Sequence, residues 1–458
     1  MSTLDGSILN VALPSIADDL GADIDVVAWV ILAYTLTLIS LMMIFGAWTE
    51  RRGYQFSYKF TYLFFTLGSL GCALSGDIYL LIAARVVQAI GSAMSQAVGP
   101  GMVSAVFPEQ ERGKGIGLMV MMVSAGLMAG PPLGGLILEF FPWQAIFVIN
   151  IPIGIVGYYL ATRWFSMLDK PTVDKPMYLA GGIAIALALF SVTFGLSMIS
   201  DYPISNWRVW GMGCVAVVSF LAFVKFEGRP GRNMIGLDLF KNRQFTTAMI
   251  AAILIFVTMS GVLILMPFYL ERVKDFEPSK VGLYLIILPA IMFILAPLSG
   301  RVSDRIGFRL LTTFGMLVMI GAQYLLSQLG VTTPNWYVIA CLIAVGSGVA
   351  IFNTPNSSSM IGAVSPAQRA RASGIIGTSR NIGMSMGVAM STALFAHFKS
   401  QYAGSVESTE KLFVMSYNEV AWVSLFVAVA ALPFCVVRSN RPTADAPAET
   451  SPAGPASL

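Results

Sequence analysis

Charged side chains are scarce in this sequence. Asp, Glu, Lys and Arg make up 11% of its 458 residues, whereas 56% of the residues are hydrophobic. A soluble domain usually carries about 25% charged residues, and a soluble surface this apolar would aggregate through its exposed patches. The few charges fall in short clusters between long apolar runs, as in a chain that crosses a bilayer many times. The composition excludes a soluble enzyme and predicts an integral membrane protein.

Histidine and cysteine are also nearly absent. The single His397 cannot form a metal site with four cysteines that lie far apart, with no C-x-x-C spacing among them. No G-x-x-x-x-G-K-[ST] loop occurs, so ATP is not expected to drive the protein. No nucleophile–base pair stands out either. We therefore expect neither a metal, nor a cofactor, nor enzymatic activity.

Long apolar runs predict membrane-crossing helices, since a crossing needs about 20 residues at 1.5 Å each. The runs are too long and continuous for the alternating strands of a membrane barrel. Only four residues precede Asp5, so the first crossing is expected to be truncated. The sequence contains fourteen candidates: 1–16, 25–46, 57–76, 78–106, 115–138, 145–165, 176–198, 208–226, 246–270, 278–299, 310–329, 335–359, 372–397 and 418–437.

The basic residues predict the orientation of these helices. With the N-terminus inside, 20 of the 28 Lys and Arg residues fall in cytoplasmic segments and six in outside segments. The remaining two, Arg85 and Arg380, lie within predicted helices. This bias is a strong positive-inside signal and places both termini in the cytoplasm. It also accounts for the net charge of +4, so no nucleic-acid partner is expected.

A motif that occurs twice organises the helices into two halves. The pattern G-x-x-x-[DE]-R-x-G appears at Gly46, Glu50, Arg51 and Gly53, and again 254 residues later at Gly300, Asp304, Arg305 and Gly307. Both copies are expected in short cytoplasmic loops, where glycine permits a tight turn and the acid and arginine can form ion pairs. Two copies at corresponding positions indicate an internal duplication.

With this motif the sequence resembles the major facilitator superfamily, and other motifs support the resemblance over nearly the whole chain. Leu81, Arg85, Gln88 and Gly91 resemble a buried-arginine motif in the fourth helix. An antiporter motif is matched in the fifth helix at Gly126, Gly130, Pro131, Gly134 and Gly135. Together with fourteen crossings, these motifs resemble the 14-span drug:proton antiporters of the EmrB/QacA type.

The resemblance implies an all-α polytopic membrane protein with the major facilitator fold, in which two six-helix bundles are joined by two extra helices. It divides the chain into an N-terminal bundle (1–165), a two-helix insert (166–226), a cytoplasmic linker (227–245), a C-terminal bundle (246–437) and a disordered cytoplasmic tail (438–458). The first copy of the loop motif departs from the family at Tyr54 and Gln55, where two basic residues are usual.

The resemblance also assigns proton coupling to Asp5 and Arg85. Desolvation favours the protonated form of a carboxylate in an apolar bundle, so Asp5 could bind and release protons. An unpaired arginine in an apolar run costs several kcal/mol, on the order of 2.5–3.5, so Arg85 should find a partner and respond to Asp5. The alternatives are a solvated Asp5 near the chain start and an Arg85 held only by backbone carbonyls. The glycines of the antiporter motif would permit bending and close packing.

A cavity for lipophilic substrates should be lined by aromatic and flexible apolar side chains with a few polar groups. For Arg380 and Asn381 the sequence leaves two roles open, contact with substrate or hydrogen bonding between helices. The candidates are Asn10, Trp29, Tyr34, Gln88, Met119, Met122, Phe268, Arg380 and Asn381.

These features predict a proton-coupled antiporter of the cytoplasmic (inner) membrane that exports lipophilic small molecules or drugs by alternating access. One alternative is a dedicated exporter of a single metabolite or lipid. Another is a sensor or scaffold that retains the fold without transport. The expected partners are the substrate, protons and membrane lipids. An accessory periplasmic adaptor is a further candidate partner. The sequence does not identify the substrate.

Overall fold

The protein is described by a computed structural model that covers residues 1–22, 24–165, 179–198, 206–228, 237–404 and 408–437. The predicted tail at 438–458 and parts of the predicted insert and linker lie outside these residues. Throughout the described ranges the regular secondary structure is helical. The helices are α1 (Ser2–Leu20), α2 (Ile24–Arg52), α3 (Tyr54–Ala73), α4 (Ile78–Val106), α5 (Arg112–Phe140), α6 (Ala145–Val148), α7 (Asn150–Trp164), α8 (Leu179–Met198), α9 (Trp207–Glu227), α10 (Asp238–Lys241), α11 (Arg243–Arg272), α12 (Pro278–Ile306), α13 (Phe308–Leu326), α14 (Asn335–Gly362), α15 (Arg369–Tyr402) and α16 (Thr409–Val436).

Eleven spans in the described part of the chain are long and apolar enough to cross a membrane. The prediction of an all-helical, multi-pass membrane protein is confirmed. The predicted number of crossings, fourteen, exceeds these eleven by three, because α1, α3 and α15 are not among them. In α1 the residues Asp5, Asp18 and Asp19 interrupt the apolar sequence, and α15 begins with Arg369 and Arg371.

Polar side chains start several of these helices by occupying their first free backbone N–H groups. Asp77 accepts a hydrogen bond from the N–H of Tyr79 over 3.0 Å at the start of α4. At the start of α11, Asn242 accepts from the N–H groups of Gln244 and Phe245 over 3.0 and 3.2 Å. These caps set where the helices begin.

One sequence expectation about local structure is wrong. The residues from Gly46 to Arg51 and from Gly300 to Arg305 are helical, so only Gly53 and Gly307 form the turns of the repeated motif. The described part of the predicted linker at 227–245 contains the short α10 and the start of α11. The predicted crossing at 145–165 is a single apolar span with a break between α6 and α7, because Pro152 cannot donate a hydrogen bond to the carbonyl of Val148.

Helix packing repeats between the first and last parts of the chain. In the first half (α1–α7), α4 packs against α2 and α3, and α3 packs against α7. In the second half (α11–α16), α14 packs against α12 and α13, and α13 packs against α16. The α8–α9 hairpin lies between the halves in sequence and packs against α2. This repetition is expected of two bundles that arose by duplication.

The two halves meet mainly where α5 contacts α12 and where α2 contacts α15. One end of this interface carries many basic residues, and we call it the basic end. It is defined by Arg51, Arg112, Arg369 and Arg371. The sequence predicts that this end is cytoplasmic.

Candidate functional site

A buried polar network surrounds Asp5 in the first half of the chain. Arg85 on α4 donates from Nη1 to Asp5 Oδ2 over 2.6 Å, and the same nitrogen donates to Gln88 Oε1. Gln88 Nε2 donates to Asp5 Oδ1 over 3.0 Å and to Ser69 Oγ over 2.8 Å. Asn150 at the start of α7 adds a third donor, with Nδ2 at 2.6 Å from Asp5 Oδ1. The network therefore joins side chains of four helices, and the partners of the Asp5 carboxylate come from α4 and α7.

Both members of the ion pair are almost fully buried. Asp5 is 3% exposed and Arg85 is 1% exposed. A buried carboxylate–arginine pair is tolerated when further hydrogen bonds satisfy its remaining atoms, as Gln88 and Asn150 do here. The predicted alternative of a solvated Asp5 does not describe this conformation, and Arg85 is held by a carboxylate as well as by the carbonyl of Val30 at 3.3 Å from its Nε.

Tyr34 on α2 covers the guanidinium of Arg85. The Arg85 Cζ lies 4.1 Å from the centre of the Tyr34 ring, within the range of a cation–π contact. The Tyr34 hydroxyl donates to Ser92 Oγ over 2.5 Å and so fixes the ring against α4. Arg85 is therefore held both by the ion pair with Asp5 and by the contact with the Tyr34 ring.

A cavity of about 280 Å³ borders this network. Tyr34 and Arg85 belong to both, so a molecule in the cavity would touch Arg85, which binds Asp5, and the Tyr34 ring that covers Arg85. The lining mixes small, polar and apolar groups, a combination typical of small-molecule sites. It consists of Ser2, Thr3, Gly6, Ser7, Leu9, Asn10, Ile31, Tyr34, Thr35, Arg85 and Leu127.

The glycines of the antiporter motif form a groove on α5 that receives α1. A Cβ atom on Gly130 would lie 1.7 Å from Ser7 Oγ, and one on Gly134 would lie 3.3 Å from Ile8. Ser7 also donates to the carbonyl of Gly126 over 3.2 Å. The close approach of α1 and α5 is the small-residue packing expected between membrane helices, and it sets the position of Asp5. Pro131 also lies within α5. A Cβ on Gly135 would meet no atom within 4 Å, so this glycine does not take part in the groove.

The acids of the repeated motif both contact the first turn of a helix in the opposite half. Glu50 Oε2 accepts from Arg371 Nε over 2.9 Å and from Nη2 over 2.5 Å, and Oε1 accepts from the Arg371 N–H over 3.3 Å. Asp304 accepts from the N–H groups of Gly113 and Lys114 over 2.8 and 2.9 Å. A carboxylate at a helix N-terminus is favoured by the free N–H groups and the helix dipole. These contacts close the basic end.

Glycine pairs bring the backbones of the two halves together beside these acids. A Cβ on Gly46 would lie 2.9 Å from the carbonyl oxygen of Ala370, and one on Gly300 would lie 2.1 Å from that of Gly113. The motif therefore combines a small residue for close approach with an acid for a cap. Arg51 donates from Nη1 to the carbonyl of Ala47 over 2.8 Å, while Arg305 is exposed.

Several predicted cavity residues lie elsewhere. Trp29 and Met122 precede the lining residues Tyr34 and Leu127 by five positions, which turns them about 140° around their helices. Both are exposed and do not line this cavity, and the Trp29 ring lies 5.7 Å from that of Phe194 on α8. Residue type alone could not distinguish these faces.

Two further candidates, Met119 and Phe268, also lie away from this cavity. Met119 lies beside Gly99, and Phe268 is exposed in the second half next to Arg272. Asn10 and Tyr34 do line the cavity, and Gln88 lies behind it in the network.

Arg380 and Asn381 lie on α15. Arg380 donates from Nη2 to Gln96 Oε1 on α4, and Asn381 donates to the carbonyl of Gly377 over 2.9 Å.

No functional role was predicted from the sequence for Asn150, Ser92 or Arg371. Asn150 could have been found as a polar side chain inside an apolar run, because such a group must have a hydrogen-bond partner. Ser92 follows Gln88 by four residues and so shares its helix face. Arg371 belongs to a different half from Glu50, and no sequence signal pairs them.

A profile of the Major Facilitator Superfamily matches residues 1–388. This chain belongs to that family. It is 34% identical to "Riboflavin transporter RibZ" of Clostridioides difficile over 94% of this chain and 93% of that protein. It is 30% identical to "Multidrug resistance protein Stp" of Mycobacterium tuberculosis over 87% of this chain and 74% of that protein.

The fold agrees with this family. The crystal structure of a bacterial homologue of the iron transporter ferroportin in its outward-facing state has a TM-score of 0.64 at 11% identity, over 95% of each chain. At that identity the likeness concerns the fold alone. Family membership and transporter relatives identify the chain as a membrane transporter and not an enzyme, as the sequence predicted.

Proposed function

We propose that this transporter is a proton-coupled antiporter that exports lipophilic small molecules, with Asp5 as the proton-binding group. One observation carries the proposal: Asp5 is buried against Arg85, and Arg85 also borders the cavity. A proton on Asp5 and a substrate in the cavity would therefore act on the same guanidinium. Such a shared group can couple the two ligands, because coupling requires that each ligand change the free energy of the state that the other prefers.

Protonation of Asp5 removes the negative charge that balances Arg85. The guanidinium is then left with Gln88, the Val30 carbonyl and the Tyr34 ring, and it faces the cavity without its ion pair. Breaking a buried pair in this way costs several kcal/mol, about 3–5 when one partner is removed. Protonation from outside would thus favour return to the inward-facing state, and release of the proton to the cytoplasm would reset the cycle.

Alternating access supplies the two states of the cycle. The contacts of Glu50 and Asp304 close the basic end, which the charge distribution predicts to be cytoplasmic. We assign this conformation to the outward-facing side of the cycle in the inner membrane. We also propose that α1, α3 and α15 cross the bilayer, which would give fourteen crossings, cytoplasmic termini and the organisation of the EmrB/QacA branch.

A dedicated metabolite transporter is the second candidate. The relative named as a riboflavin transporter matches nearly the full length of both chains, whereas the multidrug resistance protein Stp is matched over 74% of its length. A vitamin with a flat aromatic ring system would suit a cavity lined by Tyr34, Leu9 and Ile31. This reading changes the substrate but keeps the role of Asp5.

The test is transport by the purified chain in proteoliposomes with an imposed pH gradient. Radiolabelled chloramphenicol serves as an uncharged lipophilic probe, and riboflavin serves as the metabolite. The native chain is compared with Asp5→Asn and with Asp18→Asn, which removes an exposed carboxylate from the same helix. We expect native and Asp18→Asn proteins to exchange substrate for protons, and Asp5→Asn to lose the response to the gradient.

The possible results distinguish the drug exporter from the dedicated metabolite transporter and test the role of Asp5. Gradient-driven movement of chloramphenicol supports the drug exporter, whereas movement of riboflavin alone supports the dedicated transporter. Exchange by Asp5→Asn at the native rate and proton dependence would overturn the coupling role. A folded native chain that moves neither probe in either direction would contradict both substrate proposals.

A further inference from the structure

Arg380 lies on α15 at the point where the tight packing between the halves ends, and the crossing proposed for α15 would place it within the bilayer. Every residue of α15 from Ala372 to Ser379 is buried. Within this stretch, Gly374 and Gly377 pack against α2, where a Cβ on Gly377 would lie 2.0 Å from the terminal methyl carbon of Met42. Arg380 is the first half-buried residue after this stretch, and most of the following residues on α15 are half-buried or exposed. Its side chain therefore begins the more open part of the interface.

Only part of the Arg380 guanidinium is used in this conformation. Nη2 donates to Gln96 Oε1 across the two halves. Nε and Nη1 make no hydrogen bond to the described residues, and they are not among the side-chain atoms enclosed without a partner. Each of these two nitrogens therefore keeps some accessible surface, and their N–H donors have the planar arrangement that matches an oxyanion.

No carboxylate of the described chain balances the charge of Arg380. None of the ion pairs in the described ranges includes it. The helices α4, α14 and α15 contain no Asp or Glu. Two buried acids of the first half are engaged elsewhere, since Glu50 is bound by Arg371 and Asp5 by Arg85. Arg85 thus has the carboxylate of Asp5 as its partner, whereas Arg380 has the uncharged side-chain amide of Gln96.

A polar face of α4 joins the two arginines. Arg85, Gln88, Ser92 and Gln96 follow one another at spacings of three, four and four residues, so they lie along one side of the helix. The distance from Arg85 to Gln96 along the helix axis is about 16 Å. The proton site and Arg380 therefore lie at two levels of the same face, with Tyr34 bound to Ser92 between them.

We propose that Arg380 binds an oxyanion of the substrate, and that the transported molecules include aromatic organic anions with a carboxylate, sulfonate or phosphate group. An unbalanced charge at membrane depth is costly and marks a functional site unless a partner offsets it. A substrate anion on Nε and Nη1 supplies that partner, and the planar guanidinium favours an oxyanion over other acceptors. The inference rests on the proposed function, because it takes the space between the halves as the substrate path.

The test compares two probes that differ by one charge. 1-Anilinonaphthalene-8-sulfonate and the uncharged N-phenyl-1-naphthylamine share one aromatic skeleton. Their binding is measured on the purified chain in lipid nanodiscs, with empty nanodiscs subtracted. The variants are Arg380→Gln, Arg380→Lys and Arg301→Gln, the last of which removes an exposed arginine from the second half.

We expect Arg380→Gln to weaken sulfonate binding by about tenfold or more, since charge-assisted hydrogen bonds are the strong ones. Binding of the uncharged probe should stay near its native value, which also shows that the variant is folded. Arg380→Lys should retain an intermediate affinity, and Arg301→Gln should bind both probes as the native chain does.

Equal sulfonate binding by native and Arg380→Gln proteins would overturn the inference, as would a native chain that does not bind the sulfonate. A parallel loss for both probes would make Arg380 a structural residue and would also overturn it. The proposed function fails separately, in the proteoliposome comparison of native and Asp5→Asn proteins. If the native chain exchanges chloramphenicol for protons but native and Arg380→Gln proteins bind the sulfonate equally, only this inference is lost.

Discussion

Glu50 and Asp304 occupy equivalent positions in the two copies of the motif, and each accepts hydrogen bonds at the start of a helix in the opposite half. Their contacts differ in kind. Glu50 forms a largely buried ion pair with Arg371, whereas Asp304 accepts from the backbone N–H groups of Gly113 and Lys114 and forms no ion pair with the residues that the structure describes. The two acids therefore stabilise the same closed end by interactions of different strength.

We predict that Glu50→Gln opens the basic end more than Asp304→Asn does. Removing one partner of a buried ion pair costs about 3–5 kcal/mol. At Asp304 an amide still accepts a hydrogen bond, so only the interaction of the charge with the helix N-terminus is lost, about 0.3–1 kcal/mol. Spin labels at Phe56 and Leu310, which are exposed in opposite halves, would report the distance across this end.

The control for that experiment is the spin-labelled protein without either substitution, in a background in which the four native cysteines have been replaced. Glu50→Gln should show the larger share of long distances. A larger shift in Asp304→Asn, or no shift in either variant, would contradict the assigned strengths.

We predict that Gly130→Ala destabilises the protein and that Ser7→Gly restores it. The added methyl group would meet the Ser7 side chain, and overpacking of this kind costs about 1–3 kcal/mol. Gly135→Ala is the matched control, since its Cβ would meet no atom within 4 Å and alanine is the better helix former. The measurement is the Tm of the purified protein in detergent.

In that series the single variant should melt below the native chain, and the Ser7→Gly, Gly130→Ala double variant should melt above the single variant. If Gly130→Ala melts as the native chain does, α1 does not depend on the glycine groove for its position.

The length of apolar runs was enough to locate the helices, because a bilayer-crossing helix must be apolar over most of its length. The ends were less accurate. Helix α2 continues from the apolar run through Glu50 to Arg52, and α16 begins at Thr409, nine residues before the predicted start. Outside the bilayer core, polar residues continue a helix without any apolar signal.

The site was partly predictable for a related physical reason. Polar residues such as Arg85 and Gln88 must find partners in an apolar bundle, so their type and position already indicate a network. The face of a helix that borders a cavity depends on its neighbours. Tyr34 and Trp29 differ in this respect although both are aromatic residues on α2, since one covers Arg85 and the other packs outside against α8.

We predict that Tyr34→Phe keeps most of the transport rate and that Tyr34→Leu loses it. The phenyl ring preserves the contact with Arg85 and gives up one hydrogen bond to Ser92, about 1 kcal/mol. Leucine also removes the cation–π contact, which is worth about 2 kcal/mol in a desolvated site and thus more than a tenfold change in equilibrium. Initial rates of chloramphenicol efflux from proteoliposomes would distinguish them. Equal loss in both variants would instead assign the effect to the hydroxyl group.

We predict that Gly53→Ala and Gly307→Ala lower the stability by similar amounts. Gly53 has φ 86° and ψ 166°, and Gly307 has φ 87° and ψ 164°, so the duplicated turns share one backbone conformation. This region is nearly restricted to glycine, and a side chain there costs about 1–3 kcal/mol.

The measurement is again Tm, with Gly321→Ala as the control, because Gly321 is helical and its Cβ would meet no atom within 4 Å. The two turns lie in different halves and share no partner, so the double variant should lose the sum of the two single effects. If only one of the two single variants has a lower Tm, then only one of the two turns requires glycine, although both have the same backbone conformation. A loss in neither would mean that alanine relaxes the turn, and the repeated glycine would then serve another purpose than its positive φ.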